Sequence, residues 1–127
     1  MTKLYNGVNV QYPISKLILS GEKVIETRTY KIPEKYLDTD IVMVETPGKK
    51  GKFKARVVAI IRFTACFKYN NKTEFYQDFD KHLVDKESPW AWKDKPKWGW
   101  NVEIIKRLEA PVPCLKRGIT FRSNIEV

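Results

Sequence analysis

Residues 52–63 constrain the fold more than any other stretch of the chain. They open in alternation, with Phe53, Ala55 and Val57 on one side and Lys52, Lys54 and Arg56 on the other. That is the period of a strand with one face in water. They close on Val57-Val58-Ala59-Ile60-Ile61, an apolar run that predicts burial on both faces. Other segments supply partners. Residues 8–11 alternate, residues 23–30 are rich in β-branched side chains, and residues 40–46, 100–108 and 118–121 read as further strands. A helix is predicted over 13–20: Pro13 suits its first turn, Ile14, Leu17 and Ile18 share a face, and Gly21 can end it left-handed. A second helix is predicted over 73–83, with Thr73 as its cap and Phe75, Phe79 and Leu83 at every fourth position. Residues 47–51 form a basic turn, and residues 89–98 a loop rich in Trp, Lys and Pro. The order β-α-β-β-β-α-β-β has no βαβ repeat. It predicts an α+β fold, a closed or partly closed mixed β-barrel with short flanking helices, over a doubly wound sheet. A length of 127 residues suits one domain, 1–127.

The formal charge of +9 narrows the partner. Such an excess repels itself and usually reflects an anionic partner, with nucleic acid ahead of an anionic membrane. Charge that merely keeps the protein in solution is the plain alternative. The first residues carry no apolar run of the kind a signal peptide needs, and the longest aliphatic run, 57–61, is far short of a membrane span. A cytoplasmic protein without membrane attachment is therefore expected. Cys66 and Cys114 stand alone, and His82 is the one histidine, too few ligands for a usual zinc site. No metal or cofactor is expected. The cysteines read as packing thiols, and His82 as a residue on a helix surface.

The sharpest local feature is 19–28, Leu-Ser-Gly-Glu-Lys-Val-Ile-Glu-Thr-Arg. A helix ends at glycine, and the next strand brings Lys23, Glu26 and Arg28 to one mouth of the sheet. Strand parity puts Val24, Glu26, Arg28 and Tyr30 on one face and Lys23, Ile25, Thr27 and Thr29 on the other. Glu26 and Arg28 can pair, which would hold the Arg28 fork toward a phosphate or a base edge. An ordinary ion pair across a strand is the plain alternative.

The segment 18–28 resembles the signature of ASCH domains, members of the PUA-like superfamily. Their pattern is an aliphatic helix end followed by Gly-x-Lys-x-x-Glu-x-Arg, met here by Gly21, Lys23, Glu26 and Arg28. The C-terminal part is similar too: an aromatic-led strand from Trp100, then Pro111-Val112-Pro113, then Gly118. The resemblance implies a PUA-like β-barrel with a helix across one opening and a cleft holding Lys23, Glu26 and Arg28. It also implies binding of RNA or another nucleic acid, with some members acting as hydrolases on nucleosides or RNA. In members that deacetylate acetylcytidine, a threonine nucleophile lies three residues after the lysine. Glu26 stands there in this chain, which counts against that activity. Lys23 and Glu26 remain candidates for acid and base in another hydrolysis.

Two further features fit nucleic acid. All four tryptophans, Trp90, Trp92, Trp98 and Trp100, fall within 90–100 among lysines. Single strands are held by stacking on aromatics in a cationic groove. Trp100 reads as core, Trp98 as either, and Trp90 and Trp92 as candidates for stacking. Lys49, Lys50, Lys52, Lys54 and Arg56 form a basic ridge suited to phosphate contacts, and Lys116, Arg117 and Arg122 a smaller patch. The predicted binding set is Lys23, Arg28, Tyr30, Lys49, Lys50, Lys52, Trp90, Trp92, Trp98, Arg117 and Arg122. The predicted partner is RNA, another single strand, or a modified nucleotide. The alternatives are a hydrolase in the same cleft and a protein-binding adaptor that uses the tryptophan loop.

Overall fold

A computed structural model describes residues 2–127. The elements run β1 (Leu4–Gln11), α1 (Ile14–Ser20), β2 (Ile25–Arg28), a 3-10 turn (Glu34–Tyr36), β3 (Asp40–Thr46), β4 (Arg56–Tyr69), α2 (Lys72–Gln77), α3 (Phe79–His82), β5 (Lys97–Pro113) and β6 (Phe121–Glu126). The strands form one mixed sheet in the order β2-β5-β4-β3-β1-β6. Only β1 and β3 pair in parallel; the other neighbours are antiparallel. The architecture is α+β, as the strand-rich order predicts. The sheet is not closed, because β2 and β6 are its two edges.

It nevertheless curls until its distant strands touch. Trp100 of β5 stacks on Phe121 of β6 at 6.2 Å between ring centroids. Arg28 of β2 donates Nη2 to the Asn9 carbonyl of β1 at 2.8 Å. An open seam therefore runs between β2 and β1, with side chains across it in place of a backbone ladder. Val8, Val10, Ile41, Met43, Ala59, Ile61, Phe63 and Trp100 fill the interior. The second half of the 52–63 segment is buried on both faces. Val58, Ala59 and Ile61 join this core, while Val57 joins a second cluster with Val42, Val44, Cys114 and Ile125. Both cysteines are free thiols.

Helix α1 ends where its glycine predicts. Gly21 has φ +83° and donates its N–H to the Ile18 carbonyl at 3.0 Å. Ile18 is buried, worth roughly 1.5–3 kcal/mol for such a side chain.

Several expectations are corrected. Residues 52–55 lie outside β4, so Lys49, Lys50, Lys52 and Lys54 are exposed on a turn and form no strand ridge. Phe53 leaves the strand pattern to pack edge-on against Tyr12 and beneath the Arg56 guanidinium. Arg56 itself turns to Glu45 at 2.9 Å. The helix predicted over 73–83 is two short helices that break at Asp78. Its cap is Asn71, whose side chain accepts from the Glu74 N–H at 2.9 Å, not Thr73. Asp78, at the break, accepts from the Tyr69 hydroxyl at 2.7 Å. Phe79 is exposed, and His82 is fully buried, against the surface position read from the sequence, because seven residues after Phe75 brings it back to the face where it stacks on that ring. The last strand starts at Phe121, because residues 118–120 serve as a loop whose carbonyls accept from Asn9.

Candidate functional site

A cavity of about 590 Å³ occupies the seam. One wall is β1 around Asn9 and Gln11, and the opposite wall is the 23–30 segment. His82 at the end of α3 with Leu83 and Val84 after it, Trp90 and Lys97, and Ile119 and Thr120 also line it, as do Ile14, Leu17, Thr46 and Ser88.

Local structure explains how Lys23 comes to share this cavity with Glu26. Strict strand parity puts the two on opposite faces, but β2 begins only at Ile25. Lys23 belongs to the turn after Gly21, where its N–H donates to the Leu17 carbonyl at 3.0 Å. The turn swings its side chain inward: Lys23 is 3% exposed and its Nζ donates to the His82 carbonyl. Nζ also stands 3.9 Å from Glu26 Oε1. Burial lowers the Lys23 ammonium below its usual value, opposed by Glu26 and reinforced by Arg28 and Lys97.

Glu26 is the only acid in the lining. Its Oε2 accepts from Arg28 Nη2 at 3.0 Å, and its Oε1 from the Thr27 N–H at 3.1 Å. Arg28 is thereby held between Glu26 and the Asn9 carbonyl, over the Trp100 ring at 5.4 Å. Tyr30 packs edge-on against Trp100, with its hydroxyl 3.4 Å from Arg28 Nη1. The expected Lys-Glu-Arg cleft with an adjacent aromatic is thus a continuous set of contacts. Thr27, placed by parity on the other face, also borders the cavity.

Lys97 is a member that sequence reasoning did not single out. It is buried at the start of β5, and its Nζ donates to the Trp90 carbonyl. Burial and then the charge of Lys93 lower its ammonium. Within a run of lysines at 93, 95 and 97, no local signal marks this one as buried. His82 is the second omission. Val84 N–H donates to its Nδ1 at 2.9 Å, so Nδ1 is unprotonated and Nε2–H donates to the Phe75 carbonyl. The ring stacks on Phe75 at 4.2 Å and is held neutral, chiefly by burial. Its task is to hold the chain that offers a carbonyl to Lys23.

The remaining predicted residues divide. Trp90 lines the cavity and is 42% exposed. Trp92 is half-buried against Phe75, and Trp98 half-buried against the main core. Lys49, Lys50, Lys52 and Arg117 are exposed but do not line the cavity. Arg122 is committed to structure, donating to Asn9 Oδ1 at 2.7 Å and to the Lys116 carbonyl at 2.6 Å. Among the described residues, no helix is long and apolar enough to cross a membrane.

No protein-family model matches the chain, and no curated protein matches it significantly. Solved structures do. The chain is similar to an ASCH protein from Zymomonas mobilis, with a TM-score of 0.66 and 15% identity over 85% of this chain and 72% of that one. Two single-substitution variants of the same protein match with TM-scores of 0.63 and 0.65 at 15% identity. These similarities show that the chain has an ASCH-like fold.

Proposed function

We propose that this protein binds nucleic acid, RNA or a single nucleotide, in the seam cavity between β1 and β2. One observation carries the reading. Three basic side chains, Lys23, Arg28 and Lys97, line a cavity that holds one carboxylate, beside a rim tryptophan. Cations on the cavity wall favour phosphate, while the exposed face of Trp90 offers a platform for a base. The exposed lysines at 49, 50 and 52 and Arg117 would add contacts to a longer strand. Each neutralises phosphate without choosing sequence.

The test is a tryptophan fluorescence titration with single-stranded RNA and DNA at two salt concentrations. Affinity falls steeply as salt rises. Trp90→Ala removes one stacking platform of ~1–3 kcal/mol, roughly a 5- to 150-fold loss, and leaves thermal stability nearly unchanged. Tight binding that ignores salt would refute the phosphate contacts.

Hydrolysis in the same cavity is the second reading. It is favoured by the buried Lys23 ammonium, lowered by its surroundings and 3.9 Å from Glu26. A hydrolase loses product formation in Glu26→Gln while still binding its substrate.

A further inference from the structure

The cavity buries more positive charge than its carboxylate offsets. Glu26 is shared between Arg28 at 3.0 Å and Lys23 at 3.9 Å. Lys97 is 6% exposed and, among the described residues, has no carboxylate within ion-pair distance. Among the described residues its Nζ has the Trp90 carbonyl as its one hydrogen-bond acceptor, with the Phe75 ring face 5.7 Å away. It also lies close enough to Lys23 for its charge to depress that ammonium. A carbonyl dipole offsets a buried ammonium only in part. A group retained at that cost is explained if a ligand supplies the missing negative charge. One carboxylate against three cations leaves an excess of two.

An interior phosphodiester carries one charge and requires the strand to enter and leave. A phosphate monoester carries close to two and is a chain end, so it needs one opening. A cavity of about 590 Å³ falls within the range that encloses small ligands. Trp90 both lines the cavity and is partly exposed, which places it at the rim.

We propose that the seam cavity is a site for a nucleoside phosphate monoester, its dianionic phosphate held by Lys23, Arg28 and Lys97 and its base resting on Trp90. This rests on the nucleotide-binding reading above and deepens it by naming the charge state of the ligand. A free nucleoside monophosphate and the phosphorylated end of a strand present the same chemistry.

Isothermal titration calorimetry distinguishes these cases. The probes are adenosine, its 5′-monophosphate, a dinucleoside phosphodiester, and a short RNA strand with and without a 5′-phosphate. The monophosphate binds at least about tenfold more tightly than the nucleoside or the diester, as expected for hydrogen bonds to charged groups. Tighter binding of the free monophosphate identifies a mononucleotide ligand, whereas tighter binding of the phosphorylated strand identifies a strand end; both support the site. Lys97→Met removes the charge and keeps the stem. It loses about 10- to 100-fold of the monoester preference while its Tm holds or rises. Lys97→Gln, which keeps a donor for the Trp90 carbonyl, loses the same preference. Equal affinity for monoester and diester overturns the proposal, as does either variant retaining the preference. If strands bind equally with and without the terminal phosphate and the monophosphate binds no better than the diester, this inference fails and nucleic-acid binding stands. If no nucleoside, nucleotide or strand binds, the proposed function fails with it.

Discussion

Replacing Glu26 by Gln should move stability and anion affinity in opposite directions. The carboxylate is 6% exposed and accepts from Arg28 at 3.0 Å and from the Thr27 N–H at 3.1 Å. At an effective dielectric constant of about 20, a pair at that separation attracts by roughly 5–6 kcal/mol before desolvation is counted. Removing one partner of a buried pair typically costs about 3–5 kcal/mol, because the other charge is left uncompensated. Here the low end applies. The Arg28 side chain is 19% exposed and keeps the Asn9 carbonyl as a second acceptor at 2.8 Å. A loss of about 3 kcal/mol lowers Tm by roughly 10 °C in a domain of this size. Calorimetric unfolding measures it. The same substitution removes the only negative side chain of the cavity, so nucleotide affinity should rise at least severalfold by titration. A Tm within a degree or two of the parent would refute the seam pair as a stabilising contact. Weaker nucleotide binding in a folded variant would refute the assignment of Glu26 as a counterion rather than a ligand contact.

The geometry sets three other outcomes. Burial holds the folded pKa of His82 below its unfolded value of 6.5, so its contribution to stability is complete above that pH and is lost as pH falls through the folded value. Denaturant titrations between pH 7 and 5 should show a decline of up to ~1.4 kcal/mol per pH unit from this group, absent in His82→Gln; an identical slope in both would refute it. Gly21→Ala places a Cβ in open space at φ +83°, so only backbone strain opposes it. Urea unfolding should register a loss of about 1–2 kcal/mol, and no loss would refute the left-handed cap. Tyr69→Phe removes the hydroxyl that donates to Asp78 at 2.7 Å, where burial and Asp78 push the phenol well above its usual range. It should cost about 1.5–3 kcal/mol in thermal unfolding, the range for a hydrogen bond to a charged acceptor. No change in Tm would refute its role at the break between α2 and α3.

Local signals carried some positions a long way. The stop at Gly21, the strand over 40–46, the apolar half of 52–63 and the burial of Trp100 are readable from spacing and residue type alone. The Lys-Glu-Arg set was picked out by its spacing after Gly21 and by the resemblance that spacing carries, whereas the start of β2 at Ile25 in place of residue 23, which turns Lys23 toward Glu26, was not legible. The tryptophan loop was legible as a cluster, but not in its sorting. Trp90, Trp92 and Trp98 differ in exposure because Phe75 and the main core cover two of them from elements remote in sequence.

His82 and Lys97 mark the boundary between the two kinds of information. A spacing of four between Phe75, Phe79 and Leu83 marks an apolar helix face; His82, seven residues after Phe75, falls within about 20° of Phe75 on a continuous helix, so the surface position read for it did not follow from that spacing. The chain breaks at Asp78, where Tyr69 from β4 meets it; beyond the break Phe79 is exposed, while His82 is buried and stacks on Phe75. Lys97 looks like its solvated neighbours until β5 pairs with β4 and seats it under the Trp90 loop. Periodicity and caps are set within a few residues, so the strand-rich pattern, the α1 stop and the charged motif on β2 are written in the order of the amino acids. The curl of the sheet, the seam bridged by Arg28, and the excess of buried charge facing it depend on contacts between segments tens of residues apart. Those arise only when the chain is folded, because the energy of a buried charge depends on everything that surrounds it in space.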